Sequence, residues 1–213
     1  MSHKNLQNIP YIVEIADISD VDGILTALKA NLVEIEDVEK ISESKRKDLE
    51  RNGFLRKEVD MQYYQKLIQN RSTDIYIAKS NQGKILGFAS IHKEQDNIKK
   101  LRPTLKNLFI DNQDTRDLLI KKRNHFTYLD QISILTEYKR IGIASALIKA
   151  IIENTICPIV AFIVKKPLYN KASALWHESN SFILVGTADG HYKGKYFQWC
   201  IYIHWNKNTL NQK

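Results

Sequence analysis

The residues of this chain best placed to do chemistry by type and spacing lie in one run, Thr127 to Asn154. Tyr128-Leu129-Asp130-Gln131-Ile132-Ser133-Ile134-Leu135 is apolar and β-branched, which predicts a strand. A short polar turn, Thr136-Glu137-Tyr138, leads into Lys139-Arg140-Ile141-Gly142-Ile143-Ala144-Ser145. From Ala144 onward Leu147, Ile148, Ile151 and Ile152 recur at three- and four-residue steps, one face of a helix. A basic turn that opens a helix presents unpaired backbone N–H groups at the positive end of the helix dipole, and so forms an anion site. Gly142 lets the backbone approach a ligand closely, and Ala144 and Ser145 keep bulk out of the way.

The rest of the chain must position that turn. Ile9 to Ala16 alternates apolar and polar residues as a first strand, and Asp17, Ser19 and Asp20 offer caps for a helix carrying Val21, Ile24, Leu25 and Leu28. Val33 to Arg51 is highly charged and reads as a solvated helix or partly helical loop. Asn52-Gly53 marks a turn, and Met61, Tyr64, Leu67 and Ile68 space out as an amphipathic helix. Asp74–Lys79 and Ile85–His92 form a hairpin about Ser80-Asn81-Gln82-Gly83. Residues 93–124 are the least regular part, with Lys99, Lys100, Arg102, Lys121 and Lys122 scattered among leucines. A connection of that length contains helix or serves function. Either it is an insertion packed on the surface, or it borders a binding cleft and favours an acidic acceptor there. Cys157 to Val164 is a nearly continuous apolar strand, and Leu168 to Phe182 a helix. Phe182–Gly186 and Tyr196–Trp205 form the last two strands, with a turn over Ala188 to Gly194 between them.

Two motifs resemble those of the GCN5-related N-acetyltransferase (GNAT) superfamily. Ile132-Ser133-Ile134 followed by Lys139-Arg140-Ile141-Gly142-Ile143-Ala144 is similar to the strand and loop that grip the pyrophosphate of acetyl-coenzyme A in that family, with Lys139 where Gln or Arg is usual. Asn170, Ser173, His177, Glu178 and Phe182 fall in register with the family's second motif, and Ser181 replaces its glycine. The resemblance covers about residues 9–205. It implies one domain over 1–213 of α/β (α+β) class, with a mixed, mostly antiparallel sheet of about 6–7 strands and a splayed parallel pair.

It also implies acetyl-CoA as cosubstrate and direct attack by a primary amine on the thioester. Ile132, Ser133, Ile134, residues 139 to 145, Asn170 and Ser173 would contact the cofactor. Backbone N–H at Ile132 or Ile134 would polarise the thioester carbonyl. His177 stands where many relatives carry a tyrosine acid, and Asp130, on the central strand, is the candidate base. Glu137, beside the phosphates, suits that role poorly.

Composition narrows the alternatives. Hydrophobic content of 43% and charged content of 26% are those of a soluble globular protein. No run is long enough to span a bilayer, and the first residues lack a signal-peptide core. Cys157 and Cys200 have no metal-ligand spacing and read as buried thiols in a reducing cytoplasm, so no metal is expected. The net charge of +8 is spread along the chain. It lacks the aromatic interleaving of a nucleic-acid surface, so no specific nucleic-acid or membrane partner is expected. A monomer or homodimer acting on a small-molecule or peptide amine is the leading expectation. An acyl-CoA sensing or interaction module on the same fold is the alternative.

Overall fold

A computed structural model describes residues 9–33, 41–55, 59–93, 101–121, 125–192 and 194–206. Its strands form an eight-stranded sheet in the order β1-β2-β3-β5-β6-β8-β7-β4. These are β1 Tyr11–Ile15, β2 Thr73–Ser80, β3 Ile85–His92, β4 Leu108–Phe109, β5 Thr127–Ile134, β6 Ile159–Lys166, β7 Ile183–Tyr192 and β8 Lys195–His204. The helices are α1 Val21–Lys29, α2 Glu43–Asn52, α3 Met61–Gln69, α4 Arg102–Leu105, α5 Gln113–Ile120, α6 Ile143–Glu153 and α7 Lys171–Ser179. The sheet is mostly antiparallel. β5 and β6 are the parallel pair, and their ladder covers only Thr127↔Ile159, Tyr128↔Val160 and Leu129↔Ala161. No helix among the described residues is long and apolar enough to cross a membrane.

The chain divides into two compact units. The first comprises Met1–Val33, Leu55–Ile91 and Asp130–Asn154. Its core gathers Val21, Ile24, Ala27 and Leu28 of α1, Tyr64 and Leu67 of α3, Ile75 and Ile77 of β2, and Phe88 of β3. Helix α6 buries Ile143, Leu147, Ile148 and Ile151 and packs on β1 and β2. Leu147, Ile148 and Ile151 belong to the apolar face read from the sequence, whereas Ala144 and Ile152 of that face are half-buried and Ile143 lies outside it. Burial of four such side chains contributes roughly 6–12 kcal/mol before entropy is counted. Asp17 and Asp20 close a capping box ahead of α1, as their residue types predict. The turn at Gly83 (φ 80°) joins β2 to β3.

The second unit comprises Glu34–Phe54, His92–Leu129 and Thr155–Lys213. Here α2 and α7 pack together, and Asn170 of the α7 cap donates from Nδ2 to the Phe54 carbonyl (2.8 Å). The described part of the 93–124 insertion is structural: α4, β4 and α5 bring Leu105, Leu108, Ile110 and Leu119 onto Val160, Ala188, Ile201 and Ile203. Lys99, Lys100 and Lys122 lie outside the described residues, as does the side chain of Arg102.

The insertion supplies the eighth strand, beyond the six or seven expected. β4 docks on β7 beside Gly186, where a Cβ would come within 2.3 Å of the Phe109 carbonyl oxygen. The turn expected over Ala188 to Gly194 is also corrected. β7 runs on to Tyr192, because Ala188 is paired to Leu108 on one side and Trp199 on the other. Asp189-Gly190 is a turn signal in sequence, but Gly190 sits against the Trp199 indole, where a Cβ would approach to 3.1 Å.

Ser181 takes the place of the usual glycine and adopts its conformation, φ 65°. Phe182 N–H donates to the His177 carbonyl (3.0 Å) and Ser181 N–H to the Glu178 carbonyl (3.1 Å), a complete Schellman closure of α7. A left-handed non-glycine residue costs about 1–2 kcal/mol, partly offset by the entropy that glycine loses on folding. Ser181→Gly should therefore stabilise the protein by about 0.5–1 kcal/mol, or about 1–4 °C in Tm for a chain of this size. A thermal melt of the variant at or below wild type would show that the serine is not strained.

Candidate active site

The first unit holds Asp130, the β5 backbone and the basic turn. A short 3-10 turn, Thr136–Tyr138, ends β5. Lys139 and Arg140 follow, the latter at φ 66°, then Gly142 at φ 92°, which is the N-cap of α6. Two left-handed residues in this four-residue turn reverse the backbone just ahead of α6, and such a conformation is accessible to glycine at no steric cost. Strain at Arg140, a non-glycine residue, is of the kind found at ligand sites.

Among the described residues no side chain caps α6, so its first N–H groups depend on some other acceptor. A Cβ on exposed Gly142 would meet nothing within 4 Å among the described residues, which leaves the space over the turn open to a ligand. Ile143 is buried and pins the turn to the core, whereas Lys139, Ile141, Ala144 and Ser145 are half-buried. Lys84, at the β2–β3 hairpin, pairs with Glu137 (3.1 Å) and reaches the Tyr138 hydroxyl (3.3 Å), bracing the approach to the turn. That pair is half exposed and adds little stability.

β5 divides its backbone between two edges. Leu135 N–H, just past the strand, donates to the Leu86 carbonyl of β3 (2.9 Å). Alternate N–H groups of a strand point to opposite edges, so those of Ile132 and Ile134 turn away from β3. The Ser133 side chain departs from its expected place at a cofactor. It is buried, donates to the Ala27 carbonyl (2.6 Å) and accepts from Asn31 Nδ2 (2.8 Å), while that amide also donates to the Ile134 carbonyl (2.8 Å). Ser133 thus ties β5 to the end of α1. Asp130 is half-buried, and its Oδ2 accepts from the Tyr63 hydroxyl of α3 (3.2 Å).

The second unit holds Asn170, Ser173 and His177. Asn170 is buried, its Oδ1 accepts from Ser173 N–H to cap α7, and its Nδ2 is committed to Phe54. These contacts give Asn170 and Ser173 a capping role. His177 is 1% exposed and packed edge-on between Trp176 and Phe182. Its Nδ1 lies 2.7 Å from the Ser173 carbonyl, an acceptor only, so Nδ1 carries the proton. Burial pushes the imidazole pKa down to about 4, against a smaller opposing effect of that hydrogen bond.

At neutral pH His177 is therefore neutral. Its Nε2, buried and without a hydrogen-bond partner among the described residues, is a lone-pair acceptor. The proton donor expected of His177 is not what this geometry supplies, because its one N–H is used inside the helix. Tyr63, which reaches Asp130, has no signal in the sequence beyond its place beside Tyr64 on an amphipathic helix. Among the described residues no cluster of His, Cys, Asp and Glu could hold a metal.

Among curated proteins none matches the chain. Solved structures of similar fold include Arabidopsis thaliana NAA60 in complex with acetyl-CoA (12% identity, 92% of this chain and 99% of that one, TM-score 0.57). Chaetomium thermophilum Naa20 in complex with a bisubstrate analogue is another (9%, 95% and 90%, 0.58). A third is the ribosomal-protein-S18-alanine N-acetyltransferase of Escherichia coli (12%, 92% and 94%, 0.56). At these identities the likeness is one of fold. The model of the acetyltransferase (GNAT) family matches residues 38–182, which include β5, the basic turn, α6 and α7, and the chain belongs to that family.

Proposed function

We propose that this chain is an N-acetyltransferase that moves the acetyl group of acetyl-CoA to a primary amine by direct attack in a ternary complex, with residues 1–213 acting as one domain. The observation that carries the reading is the uncapped start of α6 behind an open, basic turn at Gly142. The residues present fit an anionic cofactor: N–H groups at the positive helix end, Lys139 and Arg140 in the turn, and no carboxylate from 139 to 145. Acetyl-CoA supplies the activated acyl group. The turn from Lys139 to Ser145 holds its pyrophosphate, and the Ile132 or Ile134 N–H polarises the carbonyl. Asp130 takes the proton of the incoming ammonium, directly or through one water. Cys157 and Cys200 are free thiols, in keeping with a reducing cytoplasm.

His177 enters this proposal in altered form. A neutral imidazole with its proton on Nδ1 offers Nε2 as an acceptor, so it donates nothing to a leaving thiolate. A second reading, an acyl-CoA-binding module without turnover, draws on that same observation. Thiol release from acetyl-CoA in the presence of spermidine, L-lysine and an alanyl peptide separates the two. Amine-dependent release supports the enzyme. Coenzyme A binding by calorimetry without release for any amine supports the module, and no binding at all removes both.

A further inference from the structure

Helix α3 sends two consecutive tyrosines to two consecutive residues of β5, and their environments differ. Tyr64 is fully buried, packs edge-on against Phe88 with centroids 5.6 Å apart, and donates to Gln131 Oε1 (2.8 Å). That contact anchors the helix in the core. Tyr63 is half-buried, and its hydroxyl donates to Oδ2 of half-buried Asp130 (3.2 Å). Its backbone is fixed as well: Asp60 caps α3 by accepting from Tyr63 N–H (2.8 Å). Its ring is braced edge-on by Tyr64, with centroids 5.4 Å apart. A phenol held at its backbone and on one side of its ring delivers its hydroxyl to a fixed point at little entropic cost.

From this geometry we propose that Tyr63 is a positioning residue for the reaction, acting through Asp130. The proposal rests on the reading of Asp130 as the base. A carboxylate on a single β-carbon turns freely about its last bond unless something holds it, and general-base efficiency depends on where the accepting oxygen lies. The Tyr63 hydroxyl fixes Oδ2, and with it the plane of the carboxylate. α3 thereby links the core anchor at Tyr64 to the reacting end of β5.

A double-mutant cycle tests this with thiol release from acetyl-CoA, using whichever of spermidine, L-lysine and an alanyl peptide turns over fastest. Tyr63→Phe, which keeps the ring, should lower kcat about tenfold, as expected for loss of one hydrogen bond to a charged group, with coenzyme A affinity unchanged. Asp130→Asn should lower it roughly a hundred- to ten-thousandfold. In the Asp130→Asn background Tyr63→Phe should cost less than about twofold, because the effect passes through the carboxylate. Tyr64→Phe should lower stability in urea without reproducing the kcat loss.

Full kcat in Tyr63→Phe, or the same tenfold cost with and without Asp130, would overturn the positioning role alone. Full kcat in Asp130→Asn would remove the base and the positioning role together. Absence of turnover with all three amines would overturn the functional reading and this inference with it.

Discussion

Gly142→Glu should weaken coenzyme A binding by roughly a hundredfold or more, because like-charge juxtaposition at a binding surface costs several kcal/mol. The expectation depends on two features of the turn. Gly142 has φ 92° and is the N-cap of α6, so its side-chain position lies at the positive helix end, where the phosphates would sit. A Cβ there meets nothing within 4 Å among the described residues, which leaves room for the substitution. What folding loses is the left-handed strain of a non-glycine residue, about 1–2 kcal/mol. Gly142→Ala carries that strain without the charge and should lose less than about tenfold in affinity. Calorimetry on both variants, each shown to be folded by circular dichroism, separates backbone from charge. A glutamate variant binding coenzyme A within threefold of wild type would remove the turn as the phosphate site.

The same turn shows what a sequence reveals directly. A basic, glycine-bearing segment between a β-branched run and a helical period is a local pattern, and its chemistry follows from backbone geometry that neighbours alone determine. β5, α6 and the β2–β3 hairpin were legible for that reason. Ser133 and Asn170 were legible as motif positions but not in their roles. Ser133 is held by Asn31, 102 residues away in sequence, and Asn170 by Phe54, 116 residues away. No periodicity encodes such pairings. Asp189-Gly190 misled because its glycine answers to the Trp199 ring in space rather than to a turn in sequence. Ser181 shows the converse. The left-handed helix end survives without glycine, since the two closing hydrogen bonds outweigh about 1–2 kcal/mol of local strain. Tyr63 lay hidden among ordinary helix residues until the fold put Asp130 under its hydroxyl.

His177 should make the protein lose stability as pH falls from 6.5 toward 4. In the unfolded chain the imidazole titrates near 6.5, whereas burial in the α7 unit holds it at about 4. Between those values the unfolded state binds a proton that the folded state refuses, so stability rises with pH across the window. The contribution is fully present above pH 6.5 and lost on descent through the window, amounting to about 3 kcal/mol by pH 4. His204 shifts in the same direction, also by burial, so the wild-type curve contains both. His177→Phe isolates the larger part. It keeps an aromatic ring between Trp176 and Phe182 but cannot titrate. At pH 7 it should be less stable than wild type, because the hydrogen bond to the Ser173 carbonyl is lost and the larger ring strains the core. That deficit should shrink or reverse at pH 4.5, since only the wild type then carries the cost of keeping a buried imidazole neutral. Urea unfolding of both proteins at the two pH values measures the difference. Parallel pH dependences, or an imidazole titrating near 6.5 by NMR in the folded protein, would mean that His177 is solvated and able to carry a proton, and the acid role expected from its motif position would return.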